Sequence, residues 1–373
     1  MPDILAPNQP TDPSQALTLR GAHLVGSVNL PTARDTLRTV ATHLGAHARR
    51  IPDGEAGERF HWILFQGTRF EAVDGLARVG DAPVVVAGFD VRPHVLDGSV
   101  PADELRFGPL GYAEAARASY ADFVALRAEG VIAPGTRFQV CLPSPLAAVT
   151  TFVAPADRAA VHPVYEAALV RELEEILAAV PAEDLAVQVD LATEFAFVEG
   201  ANLGGGAARA WFDRDAGGDE EVVAGCARRA ARFAAHVPEG VQLGFHLCYG
   251  DVAEKHFVEP ADTGHLVAMA NALVAALPRP ITWVHLPVPI GRDDVAYAAP
   301  LAGLALDGAT ELYLGVLHHE DGVEGAERRL DAAAQVLGGR AVGVATECGF
   351  GRGPSERTAA LLDLHVAVLE RTA

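Results

Sequence analysis

A histidine and a cysteine two residues apart, His246-Leu247-Cys248, close a short apolar run, and a second cysteine, Cys348, closes another in Ala345-Thr346-Glu347-Cys348. Residues two apart on a strand point to the same side, so the His246 imidazole and the Cys248 sulfur would face one space. Imidazole nitrogen and thiolate sulfur are donors that suit zinc. Three protein ligands with one position left open is the pattern of a catalytic rather than a structural zinc. Taken singly, Cys248 would be a small buried hydrophobe and His246 a satisfied core histidine. The third donor, far downstream at another strand end, favours the metal.

These residues need strands to hold them, and the chain supplies a rhythm of eight short apolar runs, at 24–28, 48–53, 138–142, 185–190, 242–248, 281–286, 312–318 and 341–346. Between most of them lie Ala/Leu/Arg/Glu stretches, such as 165–179 and 222–236, with apolar positions three and four apart, the mark of an amphipathic helix. Eight strands alternating with helices predict an α/β chain closed into a parallel (β/α)8 TIM barrel. Residues 1–18, with Pro2, Pro7, Pro10 and Pro13, read as a flexible arm, and 19–373 as one barrel. The interval 54–137 predicts an insertion after the second strand, including the apolar run at 83–89. A Gly-rich stretch at 200–219 predicts another after the fourth, a loop over the catalytic face.

Half of the 373 residues are hydrophobic (50%) and 21% are charged, which suits a globular core. The formal charge of −20 argues against nucleic acid or an anionic membrane as the partner, since both would be repelled, and leaves a small molecule. No apolar run approaches the roughly 20 residues that cross a bilayer. Four cysteines, Cys141, Cys226, Cys248 and Cys348, with no apolar leader, do not form a disulfide framework and point to a reducing cytoplasm. Nothing in the pattern bears on oligomeric state.

In a barrel of this kind reactive residues collect where strands end and loops begin. Here those positions hold Ser27, then Asp53 and Glu55, Cys141 and Ser144, Asp190, His246 and Cys248, His285, the run His318-His319-Glu320, and Glu347 with Cys348. So many polar residues at strand ends favour an active site over turn closure. Asp53 and Arg59 have a simpler reading, as partners of each other.

In this order the residues resemble the catalytic domain of the cobalamin-independent methionine synthase family, within the superfamily that includes uroporphyrinogen decarboxylase. Val25-Gly26-Ser27 is similar to the family's Ile-Gly-Ser, and Asp53-Gly-Glu55-Ala-Gly-Glu-Arg59 to its His-Gly-Glu segment. Gln188-Val-Asp190 resembles Gln-Ile-Asp, His246-Leu-Cys248-Tyr249 resembles His-Met-Cys-Tyr, and Glu347-Cys348-Gly349 resembles Asp-Cys-Gly. The likeness runs from residue 20 to about 355 and corresponds to short, single-barrel members.

What the resemblance implies is a zinc ion on His246, Cys248 and Cys348, with a substrate thiol at the open position. Zinc stabilises the thiolate, the nucleophilic form of a thiol whose free pKa is about 8.5. The family's remaining ligand is a Glu on the next strand, where this chain has His285, either a fourth ligand or a partner that orients one. Ser27, Glu55 and Asp190 would hold the ends of an amino-acid-like substrate. One of His318, His319 and Glu320 would be the acid or base. The likeness does not extend to folate: the segment after the third strand reads Cys141-Leu-Pro-Ser-Pro-Leu146, without the family's Gly-Pro-Val-Thr and Trp. The expected activity is zinc-dependent methyl or alkyl transfer to a thiol. The alternative is a zinc-dependent hydrolase or lyase, in which the metal lowers the pKa of a bound water to about 7.

Overall fold

The computed structural model describes residues 17–202, 207–212, 219–251 and 255–371. Eight parallel strands form one curled sheet: β1 Thr18–Ala22, β2 Arg50–Pro52, β3 Arg137–Pro143, β4 Leu185–Leu191, β5 Gln242–Leu247, β6 Trp283–Pro287, β7 Glu311–Leu317 and β8 Ala341–Thr346. Each strand from β2 to β8 pairs with its successor, and β8 pairs with β1. Parallel bridges Ala22–Ala48 and Ser27–Gly54 bring β1 beside β2, so the sheet curls into the (β/α)8 barrel expected from the alternating pattern.

The strands read as near-continuous apolar runs because both faces are covered, one by helices and the other by the barrel lumen. All seven residues of β4 are buried, with Val187 and Val189 in the main core beneath the helices and Gln188 and Asp190 facing the other way. Helices Arg158–Ala179 and Asp219–Ala234 contain most of the stretches expected to be helical.

One boundary differs from expectation. The first strand is Thr18–Ala22, not 24–28. Its register with β8 breaks between Leu19 and Ala22, and Gly21 takes φ +80°, which few residues but glycine adopt. Leu24, Val25 and Val28 are apolar because the segment that follows is packed into the interior, not because it is a ladder strand. The expected arm and the Gly-rich insertion fall largely on residues 1–16, 203–206 and 213–218, outside the described residues.

The insertion after β2 carries helices Gln66–Glu71 and Tyr112–Ala128 and two small antiparallel pairs. The 83–89 run forms the smaller pair, Val85–Val86 with Phe89–Asp90, and its valines are exposed rather than in the core.

Inside the barrel, two aromatic rings fill the lumen, and glycines on neighbouring strands make room for them. A Cβ on Gly244 would come within 2.0 Å of the Trp283 ring, and one on Gly343 within 2.2 Å of Tyr313. Below them Arg50 stacks 4.2 Å from the Trp283 ring, donates to Gln242 Oε1 at 2.7 Å and pairs with Glu311. This plug closes the N-terminal end of the lumen. Polar chemistry is thereby confined to the C-terminal end.

At that end Glu194, on the short helix Thr193–Val198, is fully buried. Ser144 donates to its Oε1, while Oε2 has no hydrogen-bond partner among the described residues. Burial, opposed by the Ser144 bond, pushes the carboxyl up to about 7 from an ordinary 4.5. A carboxyl whose folded pKa is raised contributes most stability below its unfolded pKa and loses it as pH rises through the folded value. Glu194→Gln, which cannot ionise, should therefore remove a loss of up to about 3 kcal/mol between pH 4.5 and 8. Urea unfolding of both proteins across that range measures it; parallel profiles would refute the assignment.

Candidate metal centre

At the rim above the aromatic plug, one donor atom each from His246, Cys248 and Cys348 lies within 4.8 Å of the others. The two sulfurs are 3.9 Å apart. His246 and Cys248 arrive together because they are two apart at the end of β5 and beyond it, with the Cys248 N–H tied to the Leu191 carbonyl at 3.0 Å. Cys348 follows β8 in a turn in which the Thr346 hydroxyl donates to the Cys348 carbonyl at 2.6 Å. The loop after it leans on Ser27: a Cβ on Gly349 would lie 2.3 Å from Ser27 Oγ.

His285, next to His246 in the β5–β6 register, is not a member of the cluster. Its Nε2–H donates to the Thr346 carbonyl at 3.0 Å, since a carbonyl can only accept. Its Nδ1 then carries the lone pair, and at 2.8 Å it accepts from His246 Nδ1–H. His246 is left with a bare Nε2, buried and without a hydrogen-bond partner among the described residues. Burial holds His285 down to about 3 and His246 well below 6.5, the latter pushed further by the neighbouring His285 and His23 rings and by the charge of Arg352, so both rings are neutral. Gly315 makes the relay sterically feasible, because a Cβ there would be 2.9 Å from the Thr346 oxygen and 3.1 Å from His285 Nε2.

A buried nitrogen lone pair without a donor costs about 1–3 kcal/mol. The His246 ring has one nitrogen within 4.8 Å of two sulfurs whose separation matches the roughly 3.8 Å expected for two 2.3 Å Zn–S bonds at a tetrahedral angle. The donor set, its spacing and the orphaned Nε2 fit a zinc ion, held by three residues with one position free.

Cys248 and Cys348 open onto a cavity of about 440 Å³ at the C-terminal ends of the strands, whose wall also includes His256, His318, Glu347 and Arg352. His318 is buried and donates from Nε2 to the Val288 carbonyl at 2.9 Å, leaving Nδ1 3.7 Å from Glu347 Oε2. His319 and Glu320 follow it, exposed, at the same cavity. His256 sits 3.1 Å from Glu347 through Nε2 and 3.1 Å from Glu259 through Nδ1. Burial opposes its charge, but the two carboxylates outweigh burial and raise it to about 9.

Ser27, Glu55 and Asp190 are not on the wall of that cavity. Ser27 is 3% exposed, beneath the Cys348 loop. Glu55 has φ +52°, an uncommon backbone state for a residue with a side chain, and its carboxylate packs over Gly26 without a hydrogen-bond partner among the described residues. Burial raises it to about 7, against the pull of Arg59 and Arg352. Asp190 is raised well above the usual carboxylate range by burial and by Glu55, and accepts from Gln188 at 2.9 Å. Asp53 and Arg59 pair at 2.6 Å, the simpler of their two readings.

His256 and Arg352 went unnoticed in the sequence. Each reaches the site from a loop, and neither stands at a strand end or in a spacing that signals chemistry.

No protein-family model and no curated protein sequence matches the chain. Solved structures do. A B12-independent methionine synthase from Shewanella sp. W3-18-1, in complex with selenomethionine, aligns with 95% of this chain and 98% of its own at 14% identity and a TM-score of 0.57. A Listeria monocytogenes protein, named as a candidate vitamin-B12-independent methionine synthase, aligns over 96% and 99% at 14% identity and a TM-score of 0.56. The likeness is one of fold. It spans nearly the full length of all three chains, as the ordered motifs led one to expect.

If His285 presents His246 by accepting its Nδ1 proton, His285→Ala should weaken zinc binding by about 10- to 100-fold. His285→Asn, whose amide oxygen can still accept, should lose less. Competition against a chromophoric chelator reads both, and equal affinity in all three proteins would rule out the relay.

Proposed function

We propose that the protein is a zinc-dependent methyl or alkyl transferase acting on the thiol of an amino-acid-like small molecule. The observation that carries this reading is the cluster of His246, Cys248 and Cys348, with a bare, buried His246 Nε2, at a cavity of small-ligand size. The two fold relatives support it, being named as methionine synthases, one of them holding an amino acid with a methylated chalcogen.

Bound by His246, Cys248 and Cys348, a zinc ion would supply the Lewis acidity that keeps a ligand thiol ionised at neutral pH. His318, kept neutral by burial and with its Nε2 proton committed to Val288, offers Nδ1 to take up the thiol proton. His256, protonated through the pH range below about 9, donates to the departing heteroatom. The sulfur–carbon bond forms as the donor's carbon–heteroatom bond breaks, and the heteroatom keeps the electron pair and gains the proton.

Protein purified without chelator should hold about one zinc per chain, lost in Cys248→Ser and Cys348→Ser, and the visible spectrum of the cobalt(II)-substituted protein should shift on addition of a thiol. Metal-free wild-type protein, or a cobalt spectrum indifferent to thiols, would overturn the reading. The His256 imidazole should titrate near pH 9 by NMR and move downward in Glu347→Gln, because the variant removes an anion that stabilises the imidazolium.

A further inference from the structure

Arg352 enters the site from the turn after Cys348. It donates from Nε to Asp251 Oδ2 at 2.7 Å, from Nη2 to the same oxygen, and from Nη2 to Cys348 Sγ at 3.1 Å. Its side chain is 13% exposed, yet Nη1 makes no hydrogen bond among the described residues and is not sealed off from the cavity that Arg352 lines. Asp251 takes the Nε–Nη2 edge of the guanidinium and Cys348 Sγ the remaining N–H of Nη2, which leaves Nη1 free. Held on these two sides, the guanidinium presents a fixed, charged Nη1 donor beside a sulfur, a preformed seat for a carboxylate oxygen.

The rest of the cavity wall is of mixed sign, with Asp251, Glu259, Glu320 and Glu347 among its acids. Its cations include Arg352, a His256 flanked by two carboxylates, and Lys255, the sole lysine in a chain of net charge −20. Lys255 has no ion pair among the described residues, so its charge is available to a ligand.

We infer that Arg352 anchors the substrate's carboxylate, and that the site selects short thiols bearing a carboxylate within two or three carbons of sulfur. The spacing follows from the guanidinium itself: Nη1 and Nη2 share one carbon, and Nη2 touches Cys348 Sγ, so a thiol sharing a metal with Cys348 would lie a few bonds from the free Nη1. This rests on the thiol reading proposed above. It adds to that reading the residue that discriminates among thiols, and assigns to Arg352 the end of the substrate that the buried Ser27 cannot reach from outside the cavity wall.

The test compares two thiols that differ at the relevant end, 3-mercaptopropionate and cysteamine, titrated into cobalt(II)-loaded protein and followed by visible absorption. Arg352→Gln should weaken 3-mercaptopropionate by about 10- to 100-fold, the worth of a charge-assisted hydrogen bond, and leave cysteamine within about threefold. If Arg352→Gln fails to fold or to hold one cobalt per chain, Arg352→Lys carries the test: it keeps the charge and loses the fork, and should weaken 3-mercaptopropionate selectively but less. Equal weakening of both thiols, or of neither, would make Arg352 a structural partner of Asp251 and overturn the inference. Should neither thiol perturb the wild-type cobalt spectrum, the thiol reading itself fails, and this inference fails with it.

Discussion

A neutral imidazole buried in a barrel must dispose of one donor and one acceptor nitrogen, and the chain His246–His285–Thr346 settles how this site does so. The Thr346 carbonyl can only accept, so it takes the proton of His285 Nε2. That choice fixes the proton on His246 Nδ1, and the lone pair left over is that of His246 Nε2. Backbone at the end of one strand thus sets the chemistry of a side chain three strands away. A carboxylate in place of His285 would bring a negative charge toward the cluster. Imidazole brings none, so the charge of a zinc ion bound there would be balanced by the two cysteines alone.

The relay stands on a lumen filled by side chains. Trp283 and Tyr313 fill the centre, each admitted by a glycine on the adjacent strand, and Arg50 caps them against Glu311 and Gln242. The cavity above reaches the two sulfurs. The same desolvation raises Glu55, Asp190 and Glu194, which makes the barrel mouth a place where acids hold their protons until a cation arrives.

Much of this was legible in advance because parallel barrel strands obey two local rules. Side chains two apart share a face, which paired His246 with Cys248, and strand ends gather at one rim, which brought Cys348 to them. The rules do not say where a run of apolar residues is a strand and where it is packed loop. Leu24–Val28 and the exposed valines at 84–86 look alike in sequence; one segment is buried behind β1 and the other stands out on a hairpin. Nor do they separate a ligand from its neighbour. His285 occupies the strand-end position at which a metal ligand is expected, and only its two hydrogen bonds turn it away from the cluster.

From the sequence alone, then, come the alternation that makes a barrel, the two-residue spacing that pairs imidazole with thiol, and the net charge of −20. These depend on periodicity and composition, which are properties of the chain itself. Tertiary structure alone decides the proton positions on His246 and His285, the carboxylate partners that keep His256 charged, and the seat of Arg352 between Asp251 and Cys348. Those depend on groups far apart in sequence meeting at hydrogen-bond distance in a medium without water, and no local spacing encodes which of them meet.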